Sequence, residues 1–389
     1  MSEHIEITPE IIEIRHYLHA HPERSFKEYE TSAYIEKLLR AHDIEVLNNP
    51  LETGVVGLIR GEQPGPRIAL RADIDGLPIQ EDTGLPFSSV NDGVMHGCGH
   101  DLHMSYMLGA AFWLAKRRKR IKGSIKLLFQ PAEEGVRGAA SMVSHVAGAR
   151  HFLAVHIGLG APHSGDLVTG VGAFLATSKF DVRFTGRAAH AGAAPEQGRD
   201  ALKGAASALL GLHALPRHGH GTSRICVGRL EGGSSRNTVP ASAFMACETR
   251  GNNSEVNDDM LRRARDVIAG AAAMHGLEWQ LDVVGGAPSA ASDAAFAELL
   301  ARCARELPPD ARGGGCFPLP RIREQGDMGA SDDATTLMRA VQAEGGLAAY
   351  AFLGADLAAG HHQPGFDFDE AVLWPGVRWL EKICRELAG

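Results

Sequence analysis

The reactive side chains of this sequence come in short clusters punctuated by glycine. The octapeptide His96-Gly97-Cys98-Gly99-His100-Asp101-Leu102-His103 groups a thiol with three imidazoles. Cys98 and His100, one glycine apart, can both face a single ion, and the glycines let the backbone come close to it. Gln130-Pro131-Ala132-Glu133-Glu134-Gly135 follows a strand pattern. Two adjacent carboxylates at a strand end repel each other unless a cation or a shared proton stabilises them. One can ligate a metal while its neighbour faces substrate as a general base; taken alone, an acidic helix start facing the helix dipole is the simpler account. Val155-His156-Ile157-Gly158 ends an apolar run with a histidine, and Gly360-His361-His362-Gln363-Pro364 sets two imidazoles in a bounded loop. Each of these alone is ordinary: a core histidine, a surface loop. The signal lies in the set. In an open α/β sheet the C-terminal strand ends converge on one crevice, so Cys98, His100, Glu134, His156 and one of His361 or His362 can reach a common point.

Such a set needs a scaffold that gathers it. Thr8-Pro9-Glu10 reads as an N-cap, a proline at the first helical position and an acid in the first turn. Ile11, Ile12, Ile14, Tyr17 and Leu18 then supply an apolar helical face. A second helix is expected over 26–41, strands over 54–59 and 67–72, a helix over 104–119, and strands over 124–129 and 152–156. Strands alternating with helices imply an α/β layer around a buried, largely parallel sheet. From about Lys179 the texture changes. Phe180-Asp181-Val182-Arg183-Phe184 alternates strictly. A helix over 199–215, strands over 225–230 and 244–249, a helix capped by Ser254 and ending at Gly276, and a strand over 279–284 follow. The order β-α-β-β-α-β is the ferredoxin-like signature; its exposed edges and one-sided sheet suit dimerisation. After Gly286 helix–strand alternation returns, closing with an amphipathic helix over 371–387. The fold class is thus α/β, one domain in two parts, 1–176 and 287–389, interrupted by a smaller α+β domain at 177–286.

The chain has 389 residues with 39 Lys+Arg against 47 Asp+Glu, a net charge of −8, so it presents no basic field for nucleic acid. The basic run from Lys116 to Lys122 reads as a solvated helix end. No apolar run approaches the roughly 18 residues of a membrane span, and Met1-Ser2-Glu3-His4-Ile5-Glu6 lacks the pattern of a secretory leader. The six cysteines, Cys98, Cys226, Cys247, Cys303, Cys316 and Cys384, are scattered without a CxxC pair, which points to a reducing, cytoplasmic setting.

The sequence resembles the M20 metallopeptidases, in the branch of aminoacylases, hippurate hydrolases and indole-acetyl-amino-acid hydrolases. The resemblance is carried in family order by Leu70-Arg71-Ala72-Asp73-Ile74-Asp75-Gly76-Leu77-Pro78, His96 to Asp101, Gln130 to Gly135, Gly186-Arg187-Ala188-Ala189-His190-Ala191, Asn237-Thr238-Val239-Pro240 and Phe366-Asp367-Phe368-Asp369-Glu370. The stretch from Met328-Gly329-Ala330-Ser331-Asp332-Asp333-Ala334 to His362 looks most like the p-aminobenzoyl-glutamate hydrolases. The resemblance implies a mixed-sheet catalytic domain with helices on both faces and a ferredoxin-like lid and dimerisation domain. It implies two divalent metal ions held by Cys98, His100, Glu134, His156 and His362. Cys and His donors favour Zn, and mixed His/carboxylate sites also take Mn, Co or Ni. Glu133 matches the general base acting on a metal-bridged water. His190 matches a histidine that reaches the active site of the partner subunit, and Asn237 and Arg250 match lid positions that contact the substrate carboxylate. Many relatives outside this branch carry His-x-Asp where Asp73-Ile74-Asp75 stands, so Asp73 is not carried over as a ligand, while Asp75 is expected to orient one. Ala188-Ala189 replaces the frequent Gly-Gly, and Ser331-Asp332-Asp333 the commoner Ser-Glu-Asp. The function implied is hydrolysis of the amide bond of N-acyl or N-aroyl amino acids by a homodimer without membrane or nucleic-acid partner. A dipeptidase or other small C–N hydrolase, or a binding protein that has lost catalysis, are the alternatives on the same scaffold.

Overall fold

The computed structural model describes residues 9–49, 51–307 and 321–389, so the expected cap at Thr8 and Cys316 lie outside the described residues. In chain order the first elements are α1 (Pro9–Ala20), α2 (Tyr29–Ala41), β1 (Glu45–Leu47), β2 (Val55–Arg60), β3 (Gln63–Asp73), α3 (His100–Ala115), β4 (Lys122–Gln130), α4 (Ala139–Val146), β5 (His151–Ile157), β6 (Leu167–Val168) and β7 (Val171–Gly172). Next come β8 (Ala176–Thr185), α5 (Ala201–His213), β9 (Ser223–Gly232), β10 (Ser242–Gly251), α6 (Ser254–His275) and β11 (Glu278–Ala287). The last are α7 (Ala294–Arg305), β12 (Ile322–Arg323), β13 (Gly326–Asp327), α8 (Ala334–Ala343), β14 (Leu347–Leu353) and α9 (Leu373–Ala388). Backbone contacts divide these into two compact units. The first comprises residues 1–172, 290–328 and 332–389, and the second 173–289 and 329–331.

The first unit is built on a sheet of order β1-β2-β4-β3-β5-β14-β6-β12. β3 runs parallel to both β4 and β5, and β5 to β14, while β1–β2, β2–β4 and β14–β6 are antiparallel. The sheet is therefore mixed rather than largely parallel. Its strands are apolar on both faces because both are covered. Ile68, Leu70, Ile125, Leu127, Leu153, Val155, Ala349 and Ala351 face a core shared with α1, α3, α7 and α9. The alternate residues, among them Phe152, Tyr350 and Phe352, are equally buried on the other face. α3 is buried almost all round, so no polar stripe marks its start. It begins at His100, four residues before the sequence expectation, and ends at Ala115, with Arg118–Arg120 a separate short turn. α2, by contrast, starts later than expected, at Tyr29, because Phe26 lies in the left-handed region at φ 60.

The second unit has the order βαββαβ from β8 to β11 and forms an antiparallel sheet β11-β8-β10-β9. Phe180, Val182 and Phe184 of β8 and Ala243, Met245 and Cys247 of β10 meet α5 and α6 in a separate core. The opposite face keeps Lys179, Asp181, Glu248 and Arg250 only half-buried. The cap of α6 is Asn253, which accepts from the Val256 N–H at 2.9 Å, rather than Ser254; Gly276 closes the helix in the left-handed conformation.

Candidate metal centre

A helix start, two strand ends and one loop of the first unit supply the chemistry. Gly99, at φ 86, turns the chain so that Cys98 and His100 flank the start of α3. β4 runs out at Gln130 immediately before Glu133 and Glu134, β5 ends around His156, and the loop after β14 carries His362. The donor atoms converge. Cys98 Sγ lies 3.5 Å from His156 Nε2. His100 Nε2 is 3.9 Å from Glu134 Oε1, and His362 Nε2 is 3.5 Å from Glu134 Oε2. Glu133 Oε2 approaches His100 Nε2 to 4.0 Å.

Hydrogen bonds fix the imidazoles in the form a cation needs. His100 Nδ1–H donates to the Asp75 carbonyl at 2.8 Å, which leaves a lone pair on Nε2. That Nε2 is buried without a hydrogen-bond partner. His156 Nδ1–H donates to the Ile157 carbonyl at 2.8 Å, so its Nε2 lone pair also points at the cluster. His361 is used differently: its Nε2 meets the Ile157 carbonyl at 3.2 Å, and its ring stacks on His156. His362 adopts φ 63 and directs its ring toward Glu134.

The electrostatics point the same way. Burial drives the Cys98 thiol well above its usual range, and Glu134 adds to the shift. Burial pushes the Glu134 carboxyl up to about 7; His100 opposes this while Asp75 and Asp73 add to it. Glu133 is raised further by burial and by Asp332, Glu134 and Asp333. Burial thus penalises the anionic forms of one thiol and two carboxylates, while Asp73 and Asp75, against burial, hold the His100 imidazole well above its usual range. Divalent cations would remove that penalty and take the vacated lone pairs, so the donor set fits such ions.

A buried polar layer braces the cluster. Asp75 accepts the N–H groups of Glu133 at 3.1 Å and Glu134 at 3.2 Å, beside its contact with His100. His103 and Asp73 were not among the expected site residues, although both stand in the quoted motifs. The Ile157 N–H donates to His103 Nε2 at 3.0 Å, so His103 Nδ1–H donates to Asp73 Oδ1, at 2.6 Å. The other Asp73 oxygen takes Arg71 Nη1 at 2.7 Å. Arg71 also binds Gln130 and Asp332, and Asp333 accepts from Gln130 Nε2 at 2.6 Å.

In the second unit His190 and Asn237 sit on paired segments: the Ala191 N–H donates to the Asn237 carbonyl at 2.9 Å. His190 is exposed, and its Nδ1 accepts from Gly192 and Ala193, which leaves the proton on Nε2. Arg250 is not brought to them. It lies eight residues further along β10 than Ser242, about 26 Å at the usual strand rise. Glu248 grips its guanidinium at 2.7 and 3.2 Å.

A profile of the peptidase family M20/M25/M40 matches residues 69–386. The chain is 44% identical over 337 residues to the indole-3-acetyl-aspartic acid hydrolase of Enterobacter agglomerans, covering 84% of this chain and 75% of that one. It is 42% identical over 341 residues to a subunit of the p-aminobenzoyl-glutamate hydrolase of Escherichia coli, covering 85% and 76%. Among solved structures, an aminobenzoyl-glutamate utilization protein from Klebsiella pneumoniae superposes with a TM-score of 0.81 at 32% identity, over 97% of this chain and 95% of that one. The Bacillus subtilis YXEP protein, a dinuclear metal-binding peptidase of the M20 family, superposes at 0.68 with 28% identity over 98% of each chain. The chain belongs to the M20 peptidase family. It is a metal-dependent hydrolase of amide bonds.

Proposed function

We propose that the protein cleaves the amide bond of N-acyl or N-aroyl amino acid conjugates, using two divalent ions held by Cys98, His100, Glu134, His156 and His362. The observation that carries this reading is the proximity of those donors, Cys98 to His156 and Glu134 to both His100 and His362, with a further carboxylate, Glu133, 4.0 Å from His100. When bound, the ions supply Lewis acidity toward the substrate carbonyl and toward the attacking water. Glu133 takes the proton of that water on a carboxylate oxygen and returns it to the departing nitrogen. Asp75 holds the backbone of Glu133 and Glu134 and orients His100. His190 Nε2–H is a donor for the oxyanion, contributed across a homodimer formed through the second unit. The one-sided sheet and the exposed Trp279 and Val283 on edge strand β11 support that mode of association. Asn237 and Arg250, well separated within one chain, are assigned to the substrate carboxylate from different subunits; Arg250 must then exchange Glu248 for substrate. Zn or Mn suits the mixed thiolate, imidazole and carboxylate set, and Co or Ni is compatible with it. The cysteines among the described residues are all free, which supports a reducing, cytoplasmic setting.

The names of both relatives carry a dicarboxylic amino acid, so indole-acetyl-aspartate and p-aminobenzoyl-glutamate head the test panel, with hippurate and dipeptides beside them, each assayed with several metals. Turnover confined to acylated amino acids supports the proposal. Preference for dipeptides with a free amino terminus overturns the substrate class, and binding without turnover overturns catalysis.

A further inference from the structure

The backbone that carries Glu133 and Glu134 bends at Ala132. This residue is fully buried and lies in the left-handed region at φ 55, a conformation that a side chain makes costly. Something must hold it there. Its N–H donates to Glu28 Oε1 at 2.9 Å, and its carbonyl accepts from Arg137 at 3.1 Å. Glu28 is itself wholly buried, and it is anchored just before α2, where its own carbonyl accepts the Ser32 N–H at 3.0 Å. Three residues earlier, Ser25 donates its hydroxyl to Asp75 Oδ2 at 2.6 Å, and Asp75 in turn receives both glutamate N–H groups. The segment from Ser25 to Glu28 therefore grips the acidic pair from two sides. Beyond the bend the two side chains part: Glu134 meets His362, whereas Glu133 groups with Asp332 and Asp333.

We propose that Glu28 is a positioning residue: by accepting the Ala132 N–H it locks the left-handed bend that sends Glu133 and Glu134 to different tasks. The inference rests on the roles assigned to those two residues under the proposed function. Without the lock, Ala132 relaxes toward an ordinary backbone conformation and swings both carboxylates. Burial, with the charge of Asp75 adding to it, holds the Glu28 carboxyl up at about 7. Glutamine keeps an oxygen at the same reach, which can accept the same N–H.

The test compares Glu28→Ala, Glu28→Gln and the double variant Glu28→Ala/Ala132→Gly. Chelator-stripped protein is titrated with Mn²⁺ and with Zn²⁺ by calorimetry, kcat and KM are measured separately, and circular dichroism checks the fold. Glu28→Ala should weaken at least one ion by about 10–100-fold. Its kcat should fall by a comparable factor, with KM within about threefold of wild type. Glu28→Gln should keep affinity and kcat within about threefold, because the acceptor is retained. Ala132→Gly should restore most of the loss in the Glu28→Ala background, because glycine enters the left-handed region without steric cost. A folded Glu28→Ala with wild-type affinity and kcat overturns the proposal, and so does a double variant no better than the single one. If Glu28→Ala does not fold, Glu28→Asp, which withdraws the carboxyl by one methylene, carries the same comparison and rescue. Glu134→Ala separates the two levels: wild-type affinity for both ions in that variant would refute the ligand assignment itself.

Discussion

At the scale of single residues the centre depends on which lone pairs are left over after the protein has made its own hydrogen bonds. His100 and His156 give their Nδ1 protons to backbone carbonyls and keep Nε2 for the cluster. The neighbouring pair divides the same way, since His361 spends Nε2 on Ile157 while His362 faces Glu134. His362→Ala is therefore expected to cost one of the two ions, or at least tenfold in its affinity. His361→Ala should keep both ions, as read by elemental analysis after dialysis; the reverse pattern would exchange their roles. Glu133 makes the sharpest kinetic prediction. Glu133→Gln should lower kcat by about 10²–10⁴-fold, the usual worth of a general base, with metal content unchanged. An active Glu133→Gln enzyme would remove Glu133 from that role.

At the scale of elements, the start of α3 is tightly constrained. A Cβ on Gly99 would come within 2.5 Å of Ile157 Cγ2, and the residue's φ of 86 is already unfavourable for a side chain. Gly99→Ala should therefore lower the melting temperature and loosen metal binding together, because Cys98 and His100 flank it. α1 holds the same helix start through charge. Arg15 Nε binds Asp101 at 2.9 Å and Nη1 binds Glu370 at 2.8 Å, with Phe87 and Phe368 against the guanidinium. His19 bonds the same Asp101 at 3.0 Å and Glu81 at 3.3 Å. Burial alone would depress the His19 imidazole, yet Asp101 and Glu81 outweigh it and hold it at about 9. A folded pKa above the unfolded value near 6.5 means stabilisation that is complete below pH 6.5 and lost as pH rises through 9. The unfolding free-energy gap between wild type and His19→Gln should thus narrow by about 3 kcal/mol between pH 6 and 9.5. A constant gap in denaturant titrations would show that folding leaves the His19 pKa unshifted.

At the scale of the whole molecule, the proposed dimer divides each active site between two chains, Glu133 coming from one and His190 from the other. That arrangement can be tested without a structure of the assembly. Glu133→Gln and His190→Ala should each be nearly inactive alone. Unfolded together and refolded, they should recover about a quarter of wild-type activity, since half of randomly paired dimers hold one intact site of two. No recovery from correctly assembled mixed dimers would place His190 within its own subunit or outside the chemistry. No helix among the described residues is long and apolar enough to cross a membrane.

The candidate donor types and their grouping were legible from sequence, because thiol, imidazole and paired carboxylates in glycine-bounded clusters are chemically unusual wherever they fall. The βαββαβ order was legible too, since strict alternation and helical periodicity are local properties. Element ends were less so: α3 is buried all round, and a helix without a polar face carries no period to mark its first residue. The division of labour between His361 and His362 came, without the family, only from contacts with Ile157 and Glu134. The bracing layer was invisible for a different reason. Arg71 meets Asp332 across 261 residues, and Glu28 meets Ala132 across 104. Ala132 is also no residue from which a left-handed bend is read. Local chemistry names the groups that can bind and transfer protons. Which lone pairs remain free, and which backbone is held in a costly conformation to aim them, depends on partners that only folding brings within hydrogen-bond reach.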